Sequence, residues 1–298
     1  LLAVAGDPET WRRCSAAFRA AADEFGVDPP SAHLVWQTLV GVGDVGAERL
    51  HGYLVKALRE AKQRTAWVDG DEAYEKRVLA LADAALVPGA LREVWQEALR
   101  INGSAVRATV LAAKLLQLCL PGVPDTYQGC ELVDLSLVDP DNRRPVDFAR
   151  RHALLHAVAD ADVAPTFHAA PPADQPADQP AEGVGAPEGL DREKLLVTTT
   201  ALQLRREDPE AFGLGATYRP LQSTSEHALG FLRSDRVAAV VTRAPARLGR
   251  TGGWSDSDTV LLPEGDWEDR LTGRVHVGGE VTCAALFATR PVALLVRR

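Results

Sequence analysis

The sequence contains no methionine and only four cysteines, Cys14, Cys119, Cys130 and Cys283, none of them in a Cys-x-x-Cys pair. Such spacing supports neither a zinc knuckle nor a disulfide scaffold, so no metal site is expected. Aromatic residues are few, at 6%. Basic residues are outnumbered, with 33 Lys and Arg against 41 Asp and Glu, and the net charge of −8 argues against a broad cationic surface for nucleic acid. No apolar run reaches the roughly 18 residues needed to cross a bilayer. The longest candidate, Val106 to Leu120, is interrupted by Arg107, Lys114 and Gln117, and no basic-then-apolar leader opens the chain. These absences lead to the expectation of a soluble, cytoplasmic protein with neither a nucleic-acid nor a membrane partner. The missing Met has a second implication. With Leu1-Leu2 at the start, it points to an internal beginning, a piece of a longer polypeptide.

The 298 residues are 46% apolar and 25% charged, enough for one large core or two smaller ones. Residues 1–120 read as helical. Asp7-Pro8-Glu9 is a helix start, and Trp11, Cys14, Phe18 and Ala21 follow it at helical spacing. Pro29-Pro30-Ser31 opens the next helix, with Leu34, Val35, Thr38 and Leu39. From Ala47 to about Trp67, Leu50, Tyr53, Leu54, Leu58 and Ala61 make an apolar stripe, with Lys56, Arg59, Glu60, Lys62 and Gln63 opposite it. Further helices are expected over about 71–86 and 104–118, the second apolar nearly all round and therefore buried on most faces. Residues 121–160 hold a short strand, about Asp125 to Leu132, a polar turn and a helix. Residues 161–190, with six prolines and a repeated Pro-Ala-Asp-Gln, lack the apolar content to offset ordering and read as a flexible insertion. Residues 191–298 begin with a helix to about Glu207. They continue as strands at 229–233, 237–242, 259–262, 267–272 and 292–297, with Leu271-Thr272-Gly273 and Gly278-Gly279 as turn signals.

Several motifs invite a chemical reading. Gly41-Val42-Gly43-Asp44-Val45-Gly46 matches the dinucleotide-binding pattern in letters, but the segment before it reads as helix, so it is an interhelical turn. His152 and His156 have metal-ligand spacing without a third ligand, and read as a solvated pair. The Lys56, Arg59, Glu60 and Lys62 group is compatible with an ordinary solvated helix face. More informative is the run from Pro121 to Asp147. There, Tyr127-Gln128-Gly129 places an aromatic hydroxyl and an amide beside a turn carrying Asp139, Asp141, Asn142, Arg143 and Arg144. Aromatic platforms beside carboxylates, amides and guanidinium groups suit carbohydrate hydroxyls, and such groups typically sit at the C-terminal ends of barrel strands.

As a string, Pro121-Gly122-Val123-Pro124-Asp125-Thr126-Tyr127-Gln128-Gly129-Cys130-Glu131-Leu132 resembles the eighth-strand segment of α-amylase-clan barrels. Its continuation, Asp134-Leu135-Ser136-Leu137-Val138-Asp139-Pro140-Asp141-Asn142-Arg143-Arg144-Pro145-Val146-Asp147-Phe148, is similar to the maltooligosyltrehalose synthase family of that clan. So are Lys56 to Lys62 with Thr65 and Trp67, and the ending, Trp267 to Arg274 with Arg290 to Arg297. The resemblance implies an α+β chain. It would be the C-terminal part of a (β/α)8 barrel enzyme (helical region, last strand and helix) followed by a small antiparallel β domain. It implies an isomerase that converts the reducing-end α-1,4 link of a maltooligosaccharide to α,α-1,1, with no cofactor.

The same resemblance places the three catalytic carboxylates upstream of Pro121, the last of them after a His. None of the seven His here is followed by Asp. The chain is therefore expected to hold no catalytic residue and to need the N-terminal barrel portion as its partner. Substrate-binding candidates are Tyr127, Gln128, Lys56, Arg59, Lys62, Trp67, Asp141, Asn142 and Arg143. For the three turn residues, an internal Arg–Asp brace is the competing role, and Glu131 is expected to be structural or binding. Two other functions stay open, a non-catalytic glucan-binding module and a part of a related α-glucan hydrolase, though the Asp-Pro-Asp-Asn-Arg-Arg-Pro run argues against the hydrolase.

Overall fold

The computed structural model describes residues 1–159 and 188–298, which fall into two units. The insertion expected at 161–190 therefore lies almost wholly outside the described residues.

The first unit, residues 1–103 and 135–145, is helical. It contains α1 (Leu2–Ala5), α2 (Pro8–Ala22), α3 (Pro29–Val42), α4 (Ala47–Ala61), α5 (Glu72–Leu86) and α6 (Ala90–Ile101). Three of these start on an aspartate whose carboxylate accepts a free first-turn N–H: Asp7 from Thr10, Asp28 from Ser31 and Asp71 from Tyr74. Pro8 and Pro29 follow the first two caps, where a missing N–H costs nothing. Trp36 centres the core, its ring 5.7 Å from Phe18 and 5.8 Å from Trp11. Leu50, Leu54 and Leu58 turn one side of α4 into that core.

Two differences from the sequence reading stand out here. Helix α6 was not expected, although Leu91, Trp95 and Ala98 carry its buried stripe at helical spacing. Helix α4 stops at Ala61 rather than near Trp67, because Lys62 turns left-handed at φ 53° and leads the chain into a loop.

The second unit, residues 104–134, 146–159 and 188–298, contains α7 (Gly103–Cys119) from its second residue, α8 (Phe148–Ala159) and α9 (Glu188–Glu207). It also holds the short α10 (Pro209–Phe212), α11 (Pro245–Arg250) and α12 (Cys283–Leu286), and six strands. The strands are β1 (Tyr218–Pro220), β2 (Ala228–Arg233), β3 (Val237–Thr242), β4 (Thr259–Asp269), β5 (Val275–Thr282) and β6 (Val292–Arg297). They pair antiparallel in the order β1-β2-β3-β6-β4-β5. Strand β3 is buried along its whole length, which explains its unbroken apolar sequence. Val237, Ala239 and Val241 face Leu111 and Leu115 of α7 and Val197 and Ala201 of α9. Ala238 and Val240 face Leu262, Trp267 and Leu286. Along α7 only Gly103, Ser104, Ala113 and Gln117 are exposed, as its all-round apolar sequence implies.

The strand expected over 125–132 is absent; this stretch is turn and irregular backbone. A lone strand has no ladder partner for its N–H and C=O groups, and no described strand lies beside it. Gly278-Gly279 is likewise not a turn but part of β5. It lies opposite an irregularity of β4 between Leu262 and Asp266, and a Cβ on Gly278 would stand 2.1 Å from the Pro263 carbonyl oxygen. No helix among the described residues is long and apolar enough to cross a membrane.

Gly278→Ala is therefore expected to cost about 2 kcal/mol or more through this clash, a fall of about 5 °C in Tm. Gly249→Ala in α11, where a Cβ meets nothing within 4 Å, should stay within about 0.5 kcal/mol. Thermal unfolding of the two variants side by side checks the pair; equal stabilities would remove the packing role assigned to Gly278.

Candidate functional site

The polar turn that the sequence singles out belongs to the first unit, and helix α4 holds it. Arg49, Lys56 and Arg59 follow one another by seven and three residues, so they share a face of the helix away from the Leu50, Leu54 and Leu58 stripe. Arg49 donates from Nε and Nη2 to the two carboxylate oxygens of Asp141 at 2.8 and 2.9 Å, and from Nη2 to the Leu135 carbonyl at 3.2 Å. Lys56 donates from Nζ to the backbone carbonyl of Asp139. The Leu137 N–H adds a 2.7 Å bond to Asp141, and Arg144 lies 3.3 Å from the same carboxylate. This cationic surround holds the Asp141 carboxyl down at about 2, with the Arg49 hydrogen bonds the largest cause.

Asp141 is thus committed to bracing the loop. Its partner is Arg49, a residue the sequence reading passed over. Arg143 is also paired, through Nη2 to Asp139 Oδ2 at 2.7 Å, but both side chains are largely exposed, and Asn142 is exposed beside them.

One helical turn further on, Arg59 makes a two-pronged pair with buried Glu75, both bonds 2.8 Å. Thr65 donates to the same carboxylate at 2.6 Å and accepts from the Asp71 N–H at 3.0 Å, which ties the 65–71 loop to the start of α5. The Arg59 bonds hold the Glu75 carboxyl below its usual range. The Arg59 guanidinium also lies 5.1 Å from the ring centre of Trp67, whose side chain remains 59% exposed. Trp67 is therefore an open aromatic face on a fixed support. Lys62 is exposed where α4 ends.

Tyr127 and Gln128 belong to the second unit and are both exposed. They occupy a tight turn closed by the Cys130 N–H donating to the Tyr127 carbonyl at 3.0 Å. Its third residue, Gly129, stands at φ +93°, where a side chain is strained. Arg151 of α8 anchors this turn, donating from Nη2 to the Gly129 carbonyl at 2.9 Å and from Nε to Glu131 at 2.6 Å. Glu131 is therefore held in an ion pair beneath the turn. Lys194 donates to the Leu132 carbonyl, and buried Asp191 accepts from the Val133 N–H at 2.8 Å, which fixes the far end of the segment on α9.

The remaining motifs resolve simply. Gly41 lies inside α3, Gly43 ends it at φ +68° and Gly46 precedes α4, so the glycine pattern is an interhelical turn. His152 and His156 are exposed on α8. Among the described residues no group of three His, Cys, Asp or Glu side chains is placed to hold a metal. Sequence reasoning missed Arg49, Glu75, Arg151 and Asp191. Only Arg49 carried a local signal, its seven-residue spacing from Lys56.

No family model matches the chain. It is 38% identical over 280 residues to proteins named maltooligosyl trehalose synthase from two strains of Mycobacterium tuberculosis, an alignment that takes in 91% of this chain and 32% of each relative. The structure of maltooligosyltrehalose synthase from Arthrobacter ramosus superimposes with a TM-score of 0.82 at 39% identity, over 99% of this chain and 36% of that one. A hypothetical maltooligosyl trehalose synthase from Sulfolobus tokodaii gives a TM-score of 0.70 at 26% identity, again over 99% of this chain and 36% of that one. The chain thus matches the C-terminal portion of these synthases and spans about a third of the length of the curated relatives.

The Asp141 brace has a measurable pH signature. Its carboxyl sits below the ordinary 3.8 in the folded chain, so the stabilisation is complete above that value and fades as pH falls toward about 2. At pH 6 the unmodified chain should exceed Asp141→Asn by about 2 kcal/mol. In denaturant melts the gap should close between pH 4 and 2. A gap that persists unchanged to pH 2 would show that charge pairing is not what Asp141 contributes.

Proposed function

We propose that this chain acts as the C-terminal portion of a cytoplasmic maltooligosyltrehalose synthase. The observation that carries the reading is the 38% identity over 91% of the chain, joined to a superposition of nearly its whole length on the Arthrobacter ramosus enzyme. In this reading residues 121–160 supply the last strand of a (β/α)8 barrel, about Asp125 to Leu132, and α8 the helix that follows it. The ladder partners of that strand belong to a barrel portion that the chain does not include, which accounts for its irregular backbone here. The β sheet forms the domain after the barrel.

The reaction is a retaining glycosyl transfer within one glucan. A carboxylate attacks the anomeric carbon next to the reducing-end glucose while a carboxylic acid protonates the departing oxygen. The released glucose stays, turns over and attacks the glycosyl-enzyme through its own anomeric hydroxyl, and the α-1,4 link becomes α,α-1,1. Both carboxylates and their companion lie upstream of this chain; the absence of any His-Asp pair supports that assignment. What this chain contributes is contact and positioning. Tyr127 and Gln128 offer a phenol and an amide from a turn that Arg151 fixes. Trp67 offers a ring face backed by Arg59, with Lys62 nearby in sequence, and Asn142 and Arg143 offer donors from the loop that Arg49 and Lys56 hold. Lys56, Arg59 and Asp141 act one step back, through the groups they support. No cofactor is required.

Incubated alone with maltopentaose, the chain should cause no loss of reducing ends. Co-expression with the N-terminal portion of a synthase should restore that loss together with an α,α-1,1-linked product. In the restored enzyme Tyr127→Ala should lower kcat/KM about tenfold, equivalent to about 1.4 kcal/mol. Glucan binding by the chain, with no activity even when its complement is folded and present, would favour a stand-alone binding module instead.

A further inference from the structure

We propose that Arg49 is a positioning residue that decides whether the glycosyl-enzyme is closed by the retained glucose or by water. The inference rests on the synthase reading above and deepens it. Arg49 binds Asp141 and the Leu135 carbonyl, and through these bonds it acts on the loop. Both Asp141 oxygens are taken, one by Arg49 Nε and one by Arg49 Nη2 together with the Leu137 N–H, which leaves this carboxylate as the fastening point of residues 135–145. The remaining bonds sit around it. Lys56 holds the Asp139 carbonyl in the middle of the loop, and Arg144 closes its end on the Asp141 carbonyl at 3.0 Å and the Ser136 hydroxyl at 3.1 Å. What this fastening leaves exposed is Asn142 and the Arg143–Asp139 pair, a set of amide, guanidinium and carboxylate groups of the kind that binds glucose hydroxyls.

The second half of the reaction shows what such a fastening controls. The bond from the anomeric carbon to the enzyme carboxylate breaks as a new C–O bond forms. The incoming oxygen gives its proton to the acid/base carboxylate. When that oxygen is the anomeric hydroxyl of the retained glucose, the product ends in trehalose. When it is water, free glucose and a shortened maltooligosaccharide leave. The two outcomes differ only in how long glucose stays bound in the productive orientation, and a loop that wavers by an ångström loses that orientation. A fork of two parallel bonds fixes a carboxylate in direction as well as distance, and an ammonium in the same place fixes distance alone.

The test uses the full-length enzyme with Arg49→Lys, Arg49→Ala and, as a surface control, Arg13→Ala, which removes the exposed 3.0 Å pair with Glu97. With maltopentaose as substrate, the ratio of free glucose to trehalose-ended product should rise about tenfold in both Arg49 variants and stay unchanged in Arg13→Ala. Labelled glucose added to the medium should enter the product of the Arg49 variants and lower their ratio, a rescue that a purely structural defect would not give. Arg49→Lys keeps the charge and most of the volume, so it reports even where Arg49→Ala fails to fold. Folded Arg49→Lys with the unmodified ratio and no uptake of label would overturn the proposal, as would a fall in kcat alone. An unmodified enzyme that makes no trehalose-ended product would instead remove the synthase reading, and this inference with it.

Discussion

A polar loop whose regular structure is one short 3-10 turn, Asp141–Arg143, has few backbone hydrogen bonds of its own, so side chains reaching it from rigid elements fix its place. In the first unit that duty falls on one face of α4. Its opposite face, Leu50, Leu54 and Leu58, is locked into the core and fixes the rotation of the helix. With the rotation set, Arg49 and Lys56 can only point at the 135–145 loop and Arg59 only at Glu75 and Trp67. Hydrophobic burial thereby sets the position of the charged contacts that α4 makes. A change that turned the helix by one residue would detach the loop and the tryptophan support together.

The second unit uses the same logic with different parts. The turn carrying Tyr127 and Gln128 has one internal backbone hydrogen bond and one glycine at positive φ, and it owes its fixed place to Arg151 and its neighbours on α8 and α9. Those helices are held by apolar packing: Leu132, Leu154 and Leu195 form one small buried cluster, and α9 adds Val197 and Ala201 to the layer over β3. In both units the exposed site candidates are aromatic, amide or cationic, and the residues that hold them are ion pairs resting on a core.

Much of this was legible in the sequence where the signal is local. Aspartate–proline starts, apolar stripes and the all-apolar β3 identify elements from neighbouring residues alone. The Asp-Pro-Asp-Asn-Arg-Arg-Pro run resembles the same family as the relatives to which the chain is 38% identical. What could not be read was partnership across long separations. Arg49 and Asp141 stand 92 residues apart, and Arg59 and Glu75 join a helix to one that begins beyond a loop. A bracing role for Asp141 was readable as an alternative, but its partner was expected within the turn and is Arg49 of α4; for Lys56 a brace and a contact look alike in sequence. Gly278 was misread for a related reason: glycine serves equally in a turn and beneath a carbonyl of the neighbouring strand, and only the packed sheet distinguishes the two.

Under the proposed function, this chain supplies contacts and positioning to a glycosyl transfer and none of its covalent chemistry. The most direct measurement is to trap the covalent intermediate of the full-length enzyme with a fluorinated maltooligosyl fluoride and locate the modified peptide by mass spectrometry. The expected label falls on a carboxylate outside these 298 residues. A label on any Asp or Glu within them, Glu131 above all, would contradict that assignment.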